Sequence, residues 1–274
     1  MEMKSIILFL IIIQSIINGV NLAKAPTTIV GDWHVSRVGD WHVSRGGDFR
    51  SNTIQKNRDS VLDKLLVLIK NNSSYNGFYH TQSAGKPEEQ VSASFFCALN
   101  VVKGLCECCL RNVVQYIQKN CQQQECVAWD FYPYLQCMVR YSTGRKIFSV
   151  LDDWAWKRLG SGLSVSTANL AKTMDSMINK LKVKAAGGDA LRKYASDTIH
   201  YDGDEHALYA DVQCTPDLTK EDCLKCLTKG SNEIRNFTRK PLFSGRVIST
   251  NCYVRYDHTS IFNPPTEYSG KECG

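Results

Sequence analysis

Residues 214–226 read CTPDLTKEDCLKC, which places three cysteines in the spacing C-x8-C-x2-C. The same spacing occurs earlier in the chain, at Cys97, Cys106 and Cys109. Each trio is followed by a fourth cysteine in a similar phrase, CMVRY at 137–141 and CYVRY at 252–256. Because chance rarely repeats four cysteines together with such a phrase, the chain is predicted to contain two tandem copies of one cysteine-rich domain.

The amino terminus has the pattern of a cleaved signal peptide. Lys4 precedes an apolar run at residues 6–13, and small or polar residues follow, with cleavage expected after Gly19 or Ala23. A membrane anchor would need about twenty apolar residues, and polar residues interrupt this run. No second apolar stretch follows. We therefore expect a signal peptide at 1–23, no membrane span in the mature chain, and secretion.

An oxidising compartment favours disulfides for the twelve cysteines. Two alternatives use the C-x2-C pairs: a zinc site, or a thioredoxin-like redox site at Cys106 and Cys109. The two pairs, 106/109 and 223/226, lie too far apart for a compact zinc module, and no βαβ pattern surrounds either. The sequence therefore favours structural disulfides.

Hydrophobic periodicity predicts an α+β fold for each copy. Apolar residues recur at helical spacing in 61–69, 106–117 and 170–181. Thr219 is a suitable N-cap for a helix that begins before Cys223. Residues 209–214 and 246–256 are rich in strand formers. Helices on one face of an antiparallel sheet account for this order.

These motifs resemble the ginkbilobin-2-homologous, or stress-antifungal, domain, and two copies behind a signal peptide resemble the plant cysteine-rich repeat secretory proteins. The resemblance implies two helices packed on a five-stranded antiparallel sheet in each copy. It places the copies at 46–146 and 150–274, after a leader at 24–45. It also implies a non-enzymatic role in the plant apoplast, and in the founding member mannose binding and antifungal action.

The repeated spacing and the resemblance together predict one disulfide framework. Its bonds are Cys97–Cys106, Cys109–Cys137, Cys214–Cys223 and Cys226–Cys252. The family has a further pair in each copy; here the second copy lacks both members and the first keeps only Cys121. Cys126, five residues along the chain, is a candidate partner for Cys121. The pairing of Cys108 and Cys273 stays open.

The resemblance implies a mannose site made of an asparagine just after the first cysteine, an arginine six residues before the last cysteine and a glutamate five residues after it. The second copy offers Arg246 and Asp257 at these positions, and the first copy has the uncharged Phe131 and Ser142. A guanidinium and a carboxylate can bracket vicinal sugar hydroxyls with charge-assisted hydrogen bonds. The alternative is an inert surface ion pair. The site's asparagine cannot be assigned.

Other features carry less chemistry. The phrase GDWHVSR occurs at 31–37 and again at 39–45, and a recent duplication in a mobile leader explains it better than metal binding by His34 and His42. Asn71, Asn72 and Asn236 are candidate glycosylation sites. The net charge of +6 suits acidic wall polymers or fungal surfaces, and no nucleic acid partner, cofactor or metal is expected.

Three function classes follow. The first is a secreted defence lectin for mannose-type glycans or fungal wall components. The second is an extracellular interaction module that binds receptor ectodomains. The third is a thiol oxidoreductase that uses Cys106 and Cys109. The sequence favours a non-enzymatic binding protein of plant defence, with sugar binding as the narrower hypothesis.

Overall fold

The protein is described here from a computed structural model. It describes residues 34–38, 41–48, 51–71, 77–83, 85–99, 101–122, 124–130, 137–143, 155–159, 168–189, 192–201, 206–237, 244–258 and 260. Within these residues the chain forms four α-helices and eleven β-strands. The predicted signal peptide, Asn72, Phe131 and Cys273 lie outside them.

The first domain contains two helices and one antiparallel sheet. The sheet has the strand order β1-β2-β5-β6-β4-β3. Its elements are β1 (His34–Val38), β2 (Trp41–Asp48), α1 (Asn52–Asn71), β3 (Phe78–Gln82), β4 (Val91–Cys97), α2 (Lys103–Asn120), β5 (Gln124–Asp130) and β6 (Cys137–Thr143).

The second domain repeats this arrangement with five strands in the order β7-β10-β11-β9-β8. Its elements are β7 (Ala155–Leu159), α3 (Ala168–Ala186), β8 (Lys193–Tyr201), β9 (His206–Cys214), α4 (Lys220–Phe237), β10 (Ser244–Ser249) and β11 (Cys252–Asp257). Without β1, the two sheets have the same strand order. The predicted α+β fold with two antiparallel sheets is confirmed.

The first sheet has six strands rather than the five that were expected. The duplicated phrase supplies the difference, because its two copies lie in β1 and β2 and pair with each other antiparallel, with His34 opposite Arg45 and Arg37 opposite His42. Strand β2 then pairs with β5. Since both copies carry the same strand-forming residues, the phrase can extend the sheet by one strand. The expectation of a mobile leader was therefore wrong for residues 34–38 and 41–45.

Successive side chains of a strand point to opposite faces of the sheet. One face of each sheet packs on the two helices of its domain. In the second domain, Ala210 and Val212 of β9 and Val254 of β11 join the helix core, and all are buried. Helix α4 approaches the sheet closely at Gly230, where an added Cβ would lie 3.2 Å from Val254 Cγ2. The opposite face carries the residues between these positions.

Those opposite faces bring the two domains together. Phe96 of β4 stacks on Tyr253 of β11, with ring centroids 6.3 Å apart. Tyr253 and Ile248 are buried in the hydrophobic cluster of the first domain. The molecule is thus layered helix, sheet, sheet, helix. No helix in the described part of the chain combines the length and apolar character needed to cross a membrane.

Candidate functional site

The disulfides fasten one helix to two neighbouring strands in each domain. In the first domain the bonds are Cys97–Cys106 and Cys109–Cys137, and in the second Cys214–Cys223 and Cys226–Cys252. The strand cysteines are direct partners in the ladder, Cys97 opposite Cys137 and Cys214 opposite Cys252. Residues three apart on a helix face the same way, so each C-x2-C pair reaches both strands.

In this connectivity neither C-x2-C pair is available as a zinc site or as a dithiol. Each sulfur of both C-x2-C pairs is bonded to a strand cysteine, so neither pair forms a disulfide or a dithiol of its own. Metal ligation and thiol exchange both require a thiolate. None of the described cysteines is free, and Cys108 is also disulfide-bonded.

Cys121 pairs with Cys126. The backbone carbonyl of Cys121 accepts two buried hydrogen bonds that the sequence did not indicate. Arg58, fully buried on α1, donates from Nη1 to the Cys121 carbonyl oxygen. The Tyr141 hydroxyl donates to the same oxygen at 3.1 Å. The Arg58 guanidinium also lies 5.9 Å from the centre of the Tyr141 ring. The sequence signal for these buried contacts was an arginine, Arg58, among the apolar residues of a predicted helix face.

The two predicted sugar-binding residues lie on adjacent strands of the second sheet. Arg246 of β10 is opposite Arg255 of β11, and Asp257 follows two residues later, opposite Ser244. Residues two apart on a strand share a face, so Arg246 and Asp257 are diagonal neighbours with Cα atoms about 7–8 Å apart. Both are half-buried. The ladder register thus brings the guanidinium and the carboxylate to one patch.

In the first domain, the described position that corresponds to Asp257 carries no charge. Ser142, which matches Asp257 in the repeat, is half-buried on β6 opposite Ser92. The other predicted position falls outside the described residues. Of the candidate glycosylation sites, Asn71 is exposed at the end of α1 and Asn236 lies in the last turn of α4.

Arg255, the neighbour of Arg246 across the ladder, forms a buried ion pair. Its Nε donates to Asp211 Oδ1 at 2.5 Å and its Nη2 to Oδ2 at 2.7 Å. Burial is the largest single influence on Arg255 and opposes its charge, but the charge and hydrogen bonding of Asp211, with smaller contributions from Tyr253 and Tyr194, raise the pKa of the guanidinium overall. The Tyr253 hydroxyl donates to Asp211 Oδ2 at 2.9 Å. Burial, reinforced by Asp211, raises the pKa of Tyr253 well above its usual value.

Polar contacts cross directly between the domains. Arg140 of the first domain donates from Nη1 to Asn251 Oδ1 of the second at 2.6 Å, while its Nε donates to Ser94 Oγ within the first domain at 3.1 Å. The Gln213 side chain accepts the Leu99 N–H at 3.1 Å and donates to the Cys97 carbonyl at 3.2 Å. These groups are buried or half-buried, so their pairing removes the cost of burying them unsatisfied.

In the first copy, the arginine of the repeated C-x-V-R-Y phrase, Arg140, is therefore an interface residue. In the second copy, Arg255 lies on the same face of its sheet as Tyr253, which packs on the first domain. In the phrase, the valine and tyrosine belong to the core of their own domain, and the arginine between them is buried on the opposite face of the sheet. Sequence reasoning used Arg140 and Arg255 only as part of a repeat signature. The available signal was a charged residue between two apolar ones on a strand, twice.

A second polar group borders Asp257. The Tyr201 hydroxyl lies 2.7 Å from His258 Nδ1, and the His206 ring lies 5.5 Å from that of Tyr201. Burial, with a smaller contribution from His206, lowers the pKa of His258, and Asp257 acts against both. This cluster is at the ends of β8, β9 and β11.

Comparison with known proteins agrees with the tandem arrangement. The profile of the salt stress response/antifungal family matches residues 44–144 and 163–259. Cysteine-rich repeat secretory protein 1 of Arabidopsis thaliana is 31% identical over 206 residues, 74% of this chain and 58% of that protein. Cysteine-rich receptor-like protein kinase 19 of the same plant is 31% identical over 219 residues, 78% of this chain and 32% of the kinase. The chain thus spans less than two thirds of either relative.

Solved structures show the same fold. The tandem DUF26 ectodomain of the Arabidopsis thaliana cysteine-rich receptor-like protein PDLP8 superposes with a TM-score of 0.63 at 20% identity, covering 78% of this chain and 95% of that one. The corresponding ectodomain of PDLP5 gives 0.56 at 16% identity, covering 78% and 96%. With two matched repeats, a repeated disulfide framework and this fold, the chain is a cysteine-rich protein of tandem domains that belongs to the salt stress response/antifungal family.

Proposed function

We propose that the protein is a secreted, non-enzymatic binding protein of plant defence and stress responses, which binds mannose-type glycans through Arg246 and Asp257. The observation that carries the proposal is the register of β10 and β11, which sets these two charges diagonally on one half-buried patch. A sugar with vicinal hydroxyls can donate to the carboxylate and accept from the guanidinium.

The affinity is expected to be weak. Asp257 is one methylene shorter than the glutamate of the family's mannose site, and no asparagine partner is assigned. A millimolar Kd corresponds to about −4 kcal/mol, and we expect about −4 to −5 kcal/mol for mannose.

The test is calorimetric titration of mannose and mannan into the intact secreted chain. Arg246→Ala should abolish binding, and Asp257→Glu should tighten it by restoring the longer carboxylate. Arg111→Ala is the matched control, because Arg111 is an exposed arginine on α2, in the other domain. Undiminished binding by Arg246→Ala would show that the assigned site is wrong.

A second candidate is an extracellular interaction module that binds receptor ectodomains without sugar. The similarity to tandem ectodomains of receptor-like proteins favours it. Binding of the intact chain to a receptor ectodomain that persists in excess mannose and after Arg246→Ala would select this function over the lectin.

A further inference from the structure

The exposed face of α3 carries an unusual set of side chains. Lys172, Ser176, Lys180, Val183 and Lys184 recur at helical spacing and are all exposed, Val183 by 60%. At a rise of about 1.5 Å per residue, the three lysines span about 18 Å along the helix. This face points away from the first domain, because α3 packs on the helix side of its sheet.

The positive charge of this face is not neutralised locally. Lys172, Lys180 and Lys184 form no ion pair or side-chain hydrogen bond with any residue that the structure describes. The one acid of α3, Asp175, is bound by Arg235 of α4 at 2.7 Å. Helix α4 differs, since its lysines alternate with acids and Lys225 lies 3.7 Å from Asp222.

The lysines border a shallow, open furrow in two parts. One part, of about 590 Å³, is lined by Ser176, Asn179, Lys180, Val183 and Lys184. A second part, of about 310 Å³, lies between α3 and β8 and is lined by Lys172, Thr173, Ser176, Met177, Lys180, Asp197 and Ile199. The two parts share Ser176 and Lys180, so they adjoin each other along the helix.

We infer that this furrow binds a polyuronate chain, an acidic polysaccharide that carries a carboxylate on each sugar. The three ammonium groups complement carboxylates spaced along the chain, and the hydroxyls of Thr173 and Ser176 suit sugar hydroxyls. Val183 and Ile199 offer apolar surface to the C–H faces of the rings. A planar anionic membrane would meet the lysine tips but not enter the part between α3 and β8, and that part therefore favours a chain.

Asp197 makes one side of the furrow unfavourable for a negatively charged ligand group. It is the one carboxylate among the lining residues, and its Oδ1 accepts the N–H of Thr198 at 2.9 Å. Its charge repels a uronate carboxylate placed nearby, so the ligand's carboxylates lie on the lysine side. The furrow is on the opposite face of the sheet from Arg246 and Asp257, and the inference does not depend on the lectin proposal.

The test is binding of polygalacturonate to the intact chain by biolayer interferometry at low and physiological salt. The triple variant Lys172→Gln/Lys180→Gln/Lys184→Gln should lose about tenfold or more in affinity, as three surface ion pairs allow. The matched control is Lys56→Gln/Lys64→Gln/Lys70→Gln, which removes the same charge from exposed positions of α1. The control should change the affinity by less than about twofold.

Further arms separate the furrow from general charge attraction. Asp197→Asn should tighten polygalacturonate binding, fully methyl-esterified polygalacturonate should not bind, and Arg246→Ala should have no effect. Equal losses in the two lysine triples would overturn the inference, because net charge alone would then explain binding. Binding to phosphatidylserine vesicles without binding to polygalacturonate would overturn it as well.

Discussion

At the residue scale, the partial burial of His258 links the stability of the fold to pH. Its Nδ1 is bound to the Tyr201 hydroxyl, and the groups that face it are Asp257 on its own strand end and His206 on β9. Burial lowers its pKa below the usual 6.5, so the folded protein holds the imidazole neutral at a pH where an unfolded chain protonates it.

We therefore expect the free energy of unfolding to fall as the pH drops below 6.5 through the folded-state pKa of His258. In this window the unfolded state binds more protons, which favours unfolding, and the stability contribution is complete above 6.5. His258→Gln should flatten this part of the stability profile, measured by urea unfolding between pH 4.5 and 7.5. The control is His200→Gln, since His200 is exposed on β8. An unchanged slope in His258→Gln would contradict the assignment.

At the element scale, α4 illustrates how local signals place a helix. Thr219 Oγ1 accepts the Asp222 N–H at 3.1 Å, and the Thr219 hydroxyl in turn donates to the Asp222 carboxylate at 2.8 Å. Glu221 and Asp222 occupy the first turn, where negative charge is favourable. The N-cap expected from the sequence is confirmed, because capping depends only on residues that are neighbours in the chain.

Thr219→Ala should destabilise the protein by about 1 kcal/mol, the usual cost of losing an N-cap. Thr219→Ser keeps the hydroxyl and should lie within a few tenths of a kcal/mol of the parent. Guanidinium unfolding of both variants measures the difference. Equal stability of the alanine and serine variants would show that the cap contributes nothing.

At the scale of the whole molecule, the two sheets make the tandem one unit. Arg140 of the first domain reaches Asn251 of the second, and Gln213 of the second reaches the backbone of Cys97 and Leu99. Arg140 and Gln213 are buried. Separating the domains would break their hydrogen bonds and expose the apolar residues beside them to water. The two domains are therefore expected to unfold together.

Calorimetry of the intact chain should therefore show one unfolding transition. Asn251→Ala removes the acceptor of Arg140 across the interface and should cost about 2–3 kcal/mol and separate the transition into two. Ser94→Ala removes the other acceptor of the same guanidinium within the first domain. It should lower stability without separating the transitions. Two transitions in the parent protein would contradict the coupling.

The sequence by itself determined the parts that depend on neighbouring residues and on the repeat. Helical spacing located the cores of α1, α2 and α3, and the C-x8-C-x2-C trios with their fourth cysteines located the strands to which the helices are fastened. It also named Arg246 and Asp257, but only the register of β10 and β11 decided that they share one patch.

Only the tertiary structure decided which faces meet. The pairing of the duplicated phrase as β1 and β2 depends on a free edge of a sheet formed by residues far along the chain. The interface roles of Arg140, Asn251 and Gln213 depend on two sheets packing face to face. A strand pattern shows that a residue alternates with its neighbours, but not what covers either face, because that is set by contacts between residues more than a hundred positions apart.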